Sequence, residues 1–252
     1  MTIIDVTAFD VLRIWLMDDE FQNPIATLEE LKRSPERFIK RDISGEHQII
    51  LTSKQFASLI RYLRQKEFRF DNISETDLRT SVPDSIIAFS FGDAPDVNQE
   101  IAFMLYRYLA DVVPNSPVVY AQWEVADMLK QLQPNLVIDD ITKTSADYYN
   151  WEEDLRIRRT GNNIVRIGLG EGVDYLTTDE IARICNDDIG GPANKTLLFC
   201  QAWHASQCWD TCQKYGLDVI GSVVVDKFSP NDPQPWVRDA FSWVLKDSKR
   251  VS

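Results

Sequence analysis

From Asp84 to Val225 the chain alternates short apolar runs with helical patterns, and this alternation limits the possible folds more than any other feature. Ser85 to Phe91, SIIAFSF, is too brief for a helix and ends at Gly92-Asp93-Ala94-Pro95-Asp96, after which Val97 to Val113 carries apolar residues at helical spacing. Pro117 to Ala121 followed by about Trp123 to Leu132 repeats the unit. Leu136 to Ile141, Ile164 to Leu169, Thr196 to Cys200 and Val219 to Val225 read as further strands. Thr177 or Thr178 can cap a helix over Asp179 to Cys185. Continuous apolar runs are what strands buried on both faces require, and strands that alternate with helices build parallel βαβ units with right-handed crossovers. The predicted fold is α/β, a three-layer Rossmann-like sandwich with a mainly parallel sheet. Thr142 to Thr160, with Tyr148, Tyr149 and Trp151, interrupts the alternation and is predicted as a helix over the sheet.

Within this frame, Thr196 to Gly216, TLLFCQAWHASQCWDTCQKYG, is the most informative stretch. It reads strand, turn, helix, with Gly216 as the stop. In an open α/β sheet such a junction lies at the carboxyl end of a strand, where ligands bind in the crevice. His204, one of two histidines in the chain, falls at this junction. The positive end of a helix favours its neutral form, which suits a single hydrogen bond to a ligand.

Residues 1–80 are predicted as an N-terminal helical extension packed on a core of residues 81–252. Val6 to Leu16 is amphipathic, Thr27 with Glu30 forms a capping box through Leu31, Ser34-Pro35 starts a short helix, and Thr52 to Lys66 has Phe56, Leu59, Ile60 and Leu63 on one face. Pro230, Pro233 and Pro235 precede a closing helix over Trp236 to Leu245. The net charge of −12 opposes a broad electrostatic grip on nucleic acid or anionic lipid. Without a basic leader or a long uninterrupted apolar run, the sequence predicts neither signal peptide nor membrane span. Four cysteines in 252 residues do not make a disulfide framework, so a reducing compartment, the cytoplasm, is expected.

The first strand–helix loop lacks both common phosphate-cradling glycine patterns, but its Asp93 could bind a hydroxyl or act as a base. His204, Cys208 and Cys212 lie four residues apart along one helical stripe. Ligands on three successive turns of a rigid helix spread over ~12 Å, so no metal site is predicted.

Taken together, these pieces resemble the YdcF-like family of α/β domains over roughly Asp84 to Val225. The resemblance rests on the acidic residue and strand Asp84 to Gly92, the second strand and helix start Tyr120-Ala121-Gln122-Trp123-Glu124-Val125-Ala126, the helix start Thr178-Asp179-Glu180, and Cys200-Gln201-Ala202-Trp203-His204. A weaker echo lies at Ile14 to Phe21. Gln122-Trp123 replaces a glycine pair usual in the family, and Gln207-Cys208 stands where an arginine is common. The resemblance implies a nucleotide-like or S-adenosylmethionine-like ligand at the strand ends and settles no reaction; transfer and hydrolysis are the candidate reactions.

The expected function is binding of such a small polar metabolite, with no nucleic-acid or membrane partner. His204, Glu124 and Glu180 are assigned to catalysis, and Gly92, Asp93, Asn98, Gln122 and Thr178 to ligand contact. The alternative is a non-enzymatic sensor or protein-interaction module with a vestigial crevice, which meets its partner through Tyr148, Tyr149 and Trp151.

Overall fold

A computed structural model of the chain describes residues 5–6, 68–69, 73, 82–111, 117–144, 155–158, 160–173, 176–189, 194–238 and 243. The chain divides into two compact units, residues 1–3 with 70–227 and residues 4–69 with 228–252. The last stretch therefore groups with the N-terminal one, whereas the sequence reading kept 81–252 whole. In the second unit, β1 (Asp5–Val6) pairs antiparallel with β2 (Phe68–Arg69). Pro235–Val237 forms a 3-10 turn where a closing helix was expected to begin. The helices expected within residues 6–66 and most of that closing helix lie outside the described residues.

The first unit contains β3 (Ser85–Ala88), α1 (Pro95–Asp111), β4 (Val118–Gln122), α2 (Trp123–Leu132), β5 (Asp139–Lys143) and β6 (Leu155–Arg158). It continues through β7 (Ile164–Leu169), α3 (Thr178–Ile189), β8 (Lys195–Gln201), α4 (Ala202–Lys214) and β9 (Asp218–Val225). Seven strands form one sheet in the order β6-β5-β7-β4-β3-β8-β9, parallel throughout except for β6. The predicted Rossmann-like sandwich is present. Among the described residues no helix is long and apolar enough to cross a membrane.

Two expectations for the middle of the chain are corrected. The strand expected over Leu136 to Ile141 lies slightly later, at Asp139–Lys143, where alternate residues are buried. The segment Thr142 to Thr160 is not a helix over the sheet in its described parts: it completes β5 and returns as the antiparallel edge strand β6. Its sequence Leu155-Arg156-Ile157-Arg158 is largely exposed, and arginines on such an edge oppose pairing with further strands. Tyr148, Tyr149 and Trp151 lie outside the described residues.

The period of two in each strand divides its side chains between two layers. Ile87, Phe89, Tyr120, Leu198 and Cys200 pack in one core with Ile181, Cys185, Cys208 and Cys212 of α3 and α4. From the other face of β8, Phe199 meets Tyr108 of α1, with ring centroids 5.7 Å apart. All four cysteines are free and buried on the α3–α4 side, and burial pushes the Cys185 and Cys208 thiols well up. The stripe that began at His204 thus faces the sheet.

Leu198 is fully buried in β8, which has β3 on one side and β9 on the other. Leu198→Ala should lower stability by about 2 to 5 kcal/mol through lost burial and the cavity left behind. Ile157→Ala, on the exposed edge strand, should change it by less than about 0.5 kcal/mol. Urea unfolding of the two variants checks both values.

Candidate functional site

The direction of winding fixes where a ligand crevice can open. The crossover from β3 through α1 leads to β4 on one side, whereas the crossover from β7 through α3 passes over β4 and β3 to reach β8 on the other. The strand order therefore reverses between β3 and β8, and the carboxyl ends of these two strands bound the topological switch point. Residues following β3, β4 and β8 gather along this edge.

After β3 the chain turns through Gly92, whose φ of +77° is a conformation that other residues rarely adopt. Asn98, in the first turns of α1, holds this loop closed. Its Oδ1 accepts from the Phe91 N–H at 2.8 Å, and its Nδ2 donates to the carbonyls of Gly92 at 2.9 Å and Ala94 at 3.1 Å. Asn98, expected from the sequence to contact a ligand, is almost fully buried, and these three bonds shape the loop. Asp93 is exposed beside the turn.

At the end of β4, the Gln122 side chain bridges to the neighbouring strand by accepting from the Ser90 N–H at 3.1 Å. Its Nε2 faces Glu124 Oε1 at 3.5 Å. Glu124, at the start of α2, is only 9% exposed, and its Oε2 makes no well-aligned hydrogen bond. Burial pushes its pKa up to about 7 from the ordinary 4.5. Its own backbone N–H and neighbouring Ser90 draw it back down, whereas the charges of Asp93 and Asp127 add to the rise. A buried carboxyl that titrates near neutrality is suited to give and take a proton.

The β8 side is built differently. Gln201 caps α4 through its side chain, whose Oε1 accepts from the N–H groups of Trp203 at 2.7 Å and His204 at 3.1 Å. The His204 ring packs against Phe91 with centroids 5.9 Å apart and meets Phe89 edge-on at 6.2 Å. Its Nε2 lies 3.2 Å from Thr178 Oγ1, which joins the starts of α4 and α3. At 7% exposure His204 is enclosed more tightly than a crevice residue was expected to be.

Thr177, rather than Thr178, closes the capping box of α3. Its Oγ1 accepts from the Glu180 N–H at 3.1 Å, and Glu180 Oε2 accepts from the Thr177 N–H at 2.6 Å. Glu180 Oε1 pairs with the buried Lys143 ammonium at the end of β5. One carboxylate oxygen of Glu180, assigned to catalysis in the sequence, thus closes the α3 cap and the other ties α3 to β5.

No protein-family model, curated protein or solved structure matches this chain. Contacts run from Glu124 and Gln122 to Ser90, and from Phe91 through His204 to Thr178, so residues far apart in the sequence share one edge. Ser90, Phe91, Lys143 and Gln201 were not singled out in the sequence. Gln201 is legible in hindsight as the polar residue between the strand and its helix, but the partner of Lys143 depends on a strand that was not predicted there.

The raised carboxyl of Glu124 has a consequence for stability. Between pH 4.5 and about 7 the folded chain holds a proton that the unfolded chain has lost, so stability from this group is present at low pH and disappears as pH rises through 7. The rise corresponds to roughly 3 kcal/mol at 1.36 kcal/mol per unit. Glu124→Gln should remove this fall, leaving a flatter profile between pH 4 and 8 and a more stable protein at pH 8. Chemical denaturation across that range checks it, and an unchanged slope would contradict it.

Proposed function

We propose that the chain binds a small, nucleoside-like polar metabolite at the carboxyl edge between β3, β4 and β8, with Glu124 as the ionisable group that acts on it. One observation carries the reading: a nearly buried carboxyl at the end of β4, one strand from the topological switch point, is pushed up to about 7 by burial and has one oxygen without a well-aligned partner. Buried polar atoms are ordinarily satisfied, and their exceptions concentrate where a ligand or reacting group completes the set. A ligand hydroxyl or amine that donates to Glu124 Oε2 would supply the missing partner. In its protonated state the same group could donate to a leaving oxygen, so transfer and hydrolysis both fit the YdcF-like resemblance.

The surrounding donors favour the sugar or base end of such a molecule over a phosphate. The α4 cap uses the N–H groups of Trp203 and His204, the α3 capping box uses those of Thr177 and Glu180, Pro95 brings none to α1, and at the start of α2, which has no side-chain cap, the Glu124 N–H turns to its own carboxyl. Asp93 and Asp96 add negative charge to the β3 loop. Phe91, Gln122 and Thr178, buried along this edge, carry no charge. His204 acts here as a positioning residue that fixes Phe91 and Thr178.

The experiment is calorimetric titration and thermal shift with adenosine, adenosine monophosphate and S-adenosylmethionine on the native protein and on Glu124→Gln. The expected result is stabilisation by about 2.7 kcal/mol at 100 times the dissociation constant, at least as strong for adenosine as for its monophosphate. Glu124→Gln should weaken binding at least tenfold while the protein remains folded. Absence of binding by all three compounds, or equal affinity in the variant, refutes the proposal.

A further inference from the structure

A second concave site lies at the opposite edge of the sheet. A cavity of about 650 Å³ opens between the carboxyl ends of α1 and α2 and the amino ends of β4 and β7. Leu109, Val119, Leu129 and Ile164 supply apolar lining, and Gln133, Asn135, Asn162 and Asn163 contribute carboxamide residues. Among the described residues lining it, none carries a charged side chain. Tyr106 and Val137, which also line it, are 39% and 63% exposed.

Both walls of this cavity are tied down. On one side Asp139, 3% exposed at the start of β5, accepts five hydrogen bonds from the loop at 160–162. They come from the N–H groups of Thr160, Gly161 and Asn162, the Thr160 hydroxyl and the Asn162 carboxamide, at 2.6 to 3.2 Å. Burial alone would raise this carboxyl, but the Thr160 and Asn162 donors outweigh it and hold it below the ordinary range. The Asn163 carbonyl then accepts from the Val119 N–H at 2.7 Å, which joins the loop to β4. On the other side, Gln133 N–H donates to Leu129 O at 2.9 Å, Leu136 N–H to Gln133 O at 3.0 Å, and the Lys130 ammonium to Leu136 O.

We infer that this cavity is a binding site for a molecule that is not an anion, with an apolar body and an amide or hydroxyl donor. Its volume falls among ligand sites, which span about 300 to 1,000 Å³ and combine apolar walls with a few fixed polar groups. The apolar lining takes the body, and the carboxamides can pair with a donor–acceptor edge. The ends of α1 and α2 turn carbonyls toward this edge, and that partial negative charge selects against an anion. Among the described lining residues there is no cation to offset the desolvation of a carboxylate. The site is separate from the carboxyl-edge site, because the two lie at opposite ends of the same parallel strands.

Benzamide and benzoate, nearly equal in shape and different in charge, test it by ligand-observed magnetic resonance titration. Benzamide should bind at millimolar concentration or better, and benzoate at least tenfold more weakly. Ala110→Trp, at an exposed helical position on the cavity wall, and Val137→Trp, on the exposed loop, should each reduce benzamide binding at least tenfold without altering the unfolding temperature by more than a few degrees. Glu124→Gln should leave it unchanged. The inference is overturned if benzamide does not bind up to its solubility limit, if benzoate binds equally well, or if both folded tryptophan variants retain full affinity.

Discussion

The structure of this chain depends on a parallel sheet that must be covered on both faces. Parallel strands cannot be joined by tight hairpins, so each connection carries a helix across one face. Ile87 and Leu198 consequently look toward α3 and α4, while Phe199 turns to Tyr108 of α1. Each inner strand has little room for an exposed polar position, and polar groups are pushed to the strand ends. The two edges of the sheet are where chemistry can collect.

The edges are then organised by different devices. At the carboxyl edge, side chains cap helices and tie neighbouring loops together: Asn98 closes the β3 loop, Gln201 caps α4, and Glu180 serves the α3 cap and Lys143 at once. Glu124 differs from this pattern because, among the described residues, its carboxyl is buried without an opposing cation, and desolvation moves it toward neutrality. Glu180 has the same residue type at a comparable helix start, yet its capping contact and ion pair give it a structural task. Two glutamates that look alike in the sequence are thus divided by their neighbours. At the amino edge, Asp139 spends its charge on backbone and carboxamide donors, so a buried anion fixes a loop without charging the adjacent cavity.

His204 illustrates how burial changes the meaning of a residue. Its position after β8 marks it as part of the crevice, but Phe89 and Phe91 pack on its ring and Thr178 takes Nε2. A histidine so placed couples the loop after β3 to the starts of α3 and α4. Removing it would disturb packing as well as polarity, in contrast to an exposed catalytic histidine.

The alternation of apolar runs and helical spacing was enough by itself to determine the fold class, because burial on both faces leaves a direct mark on every inner strand. The strands from Ser85, Val118, Ile164, Thr196 and Val219 were legible for that reason. β5 and β6 were less so, since Asp139-Asp140-Ile141-Thr142-Lys143 is half polar and β6 is mostly exposed, and a strand at the edge of a sheet need not be apolar. Local sequence also identified Gly92, Glu124, Thr178 and His204 as residues near strand ends and helix starts. Only the tertiary structure decided which of them were engaged: whether a carboxylate meets an ammonium, a helix N–H or a desolvating wall depends on strand order. That order brings Lys143 to Glu180 across 37 positions and leaves Glu124 without such a cation among the described residues. The amino-edge cavity was invisible in the sequence because its walls come from two helix ends, two strand starts and a loop, none of which carries a motif.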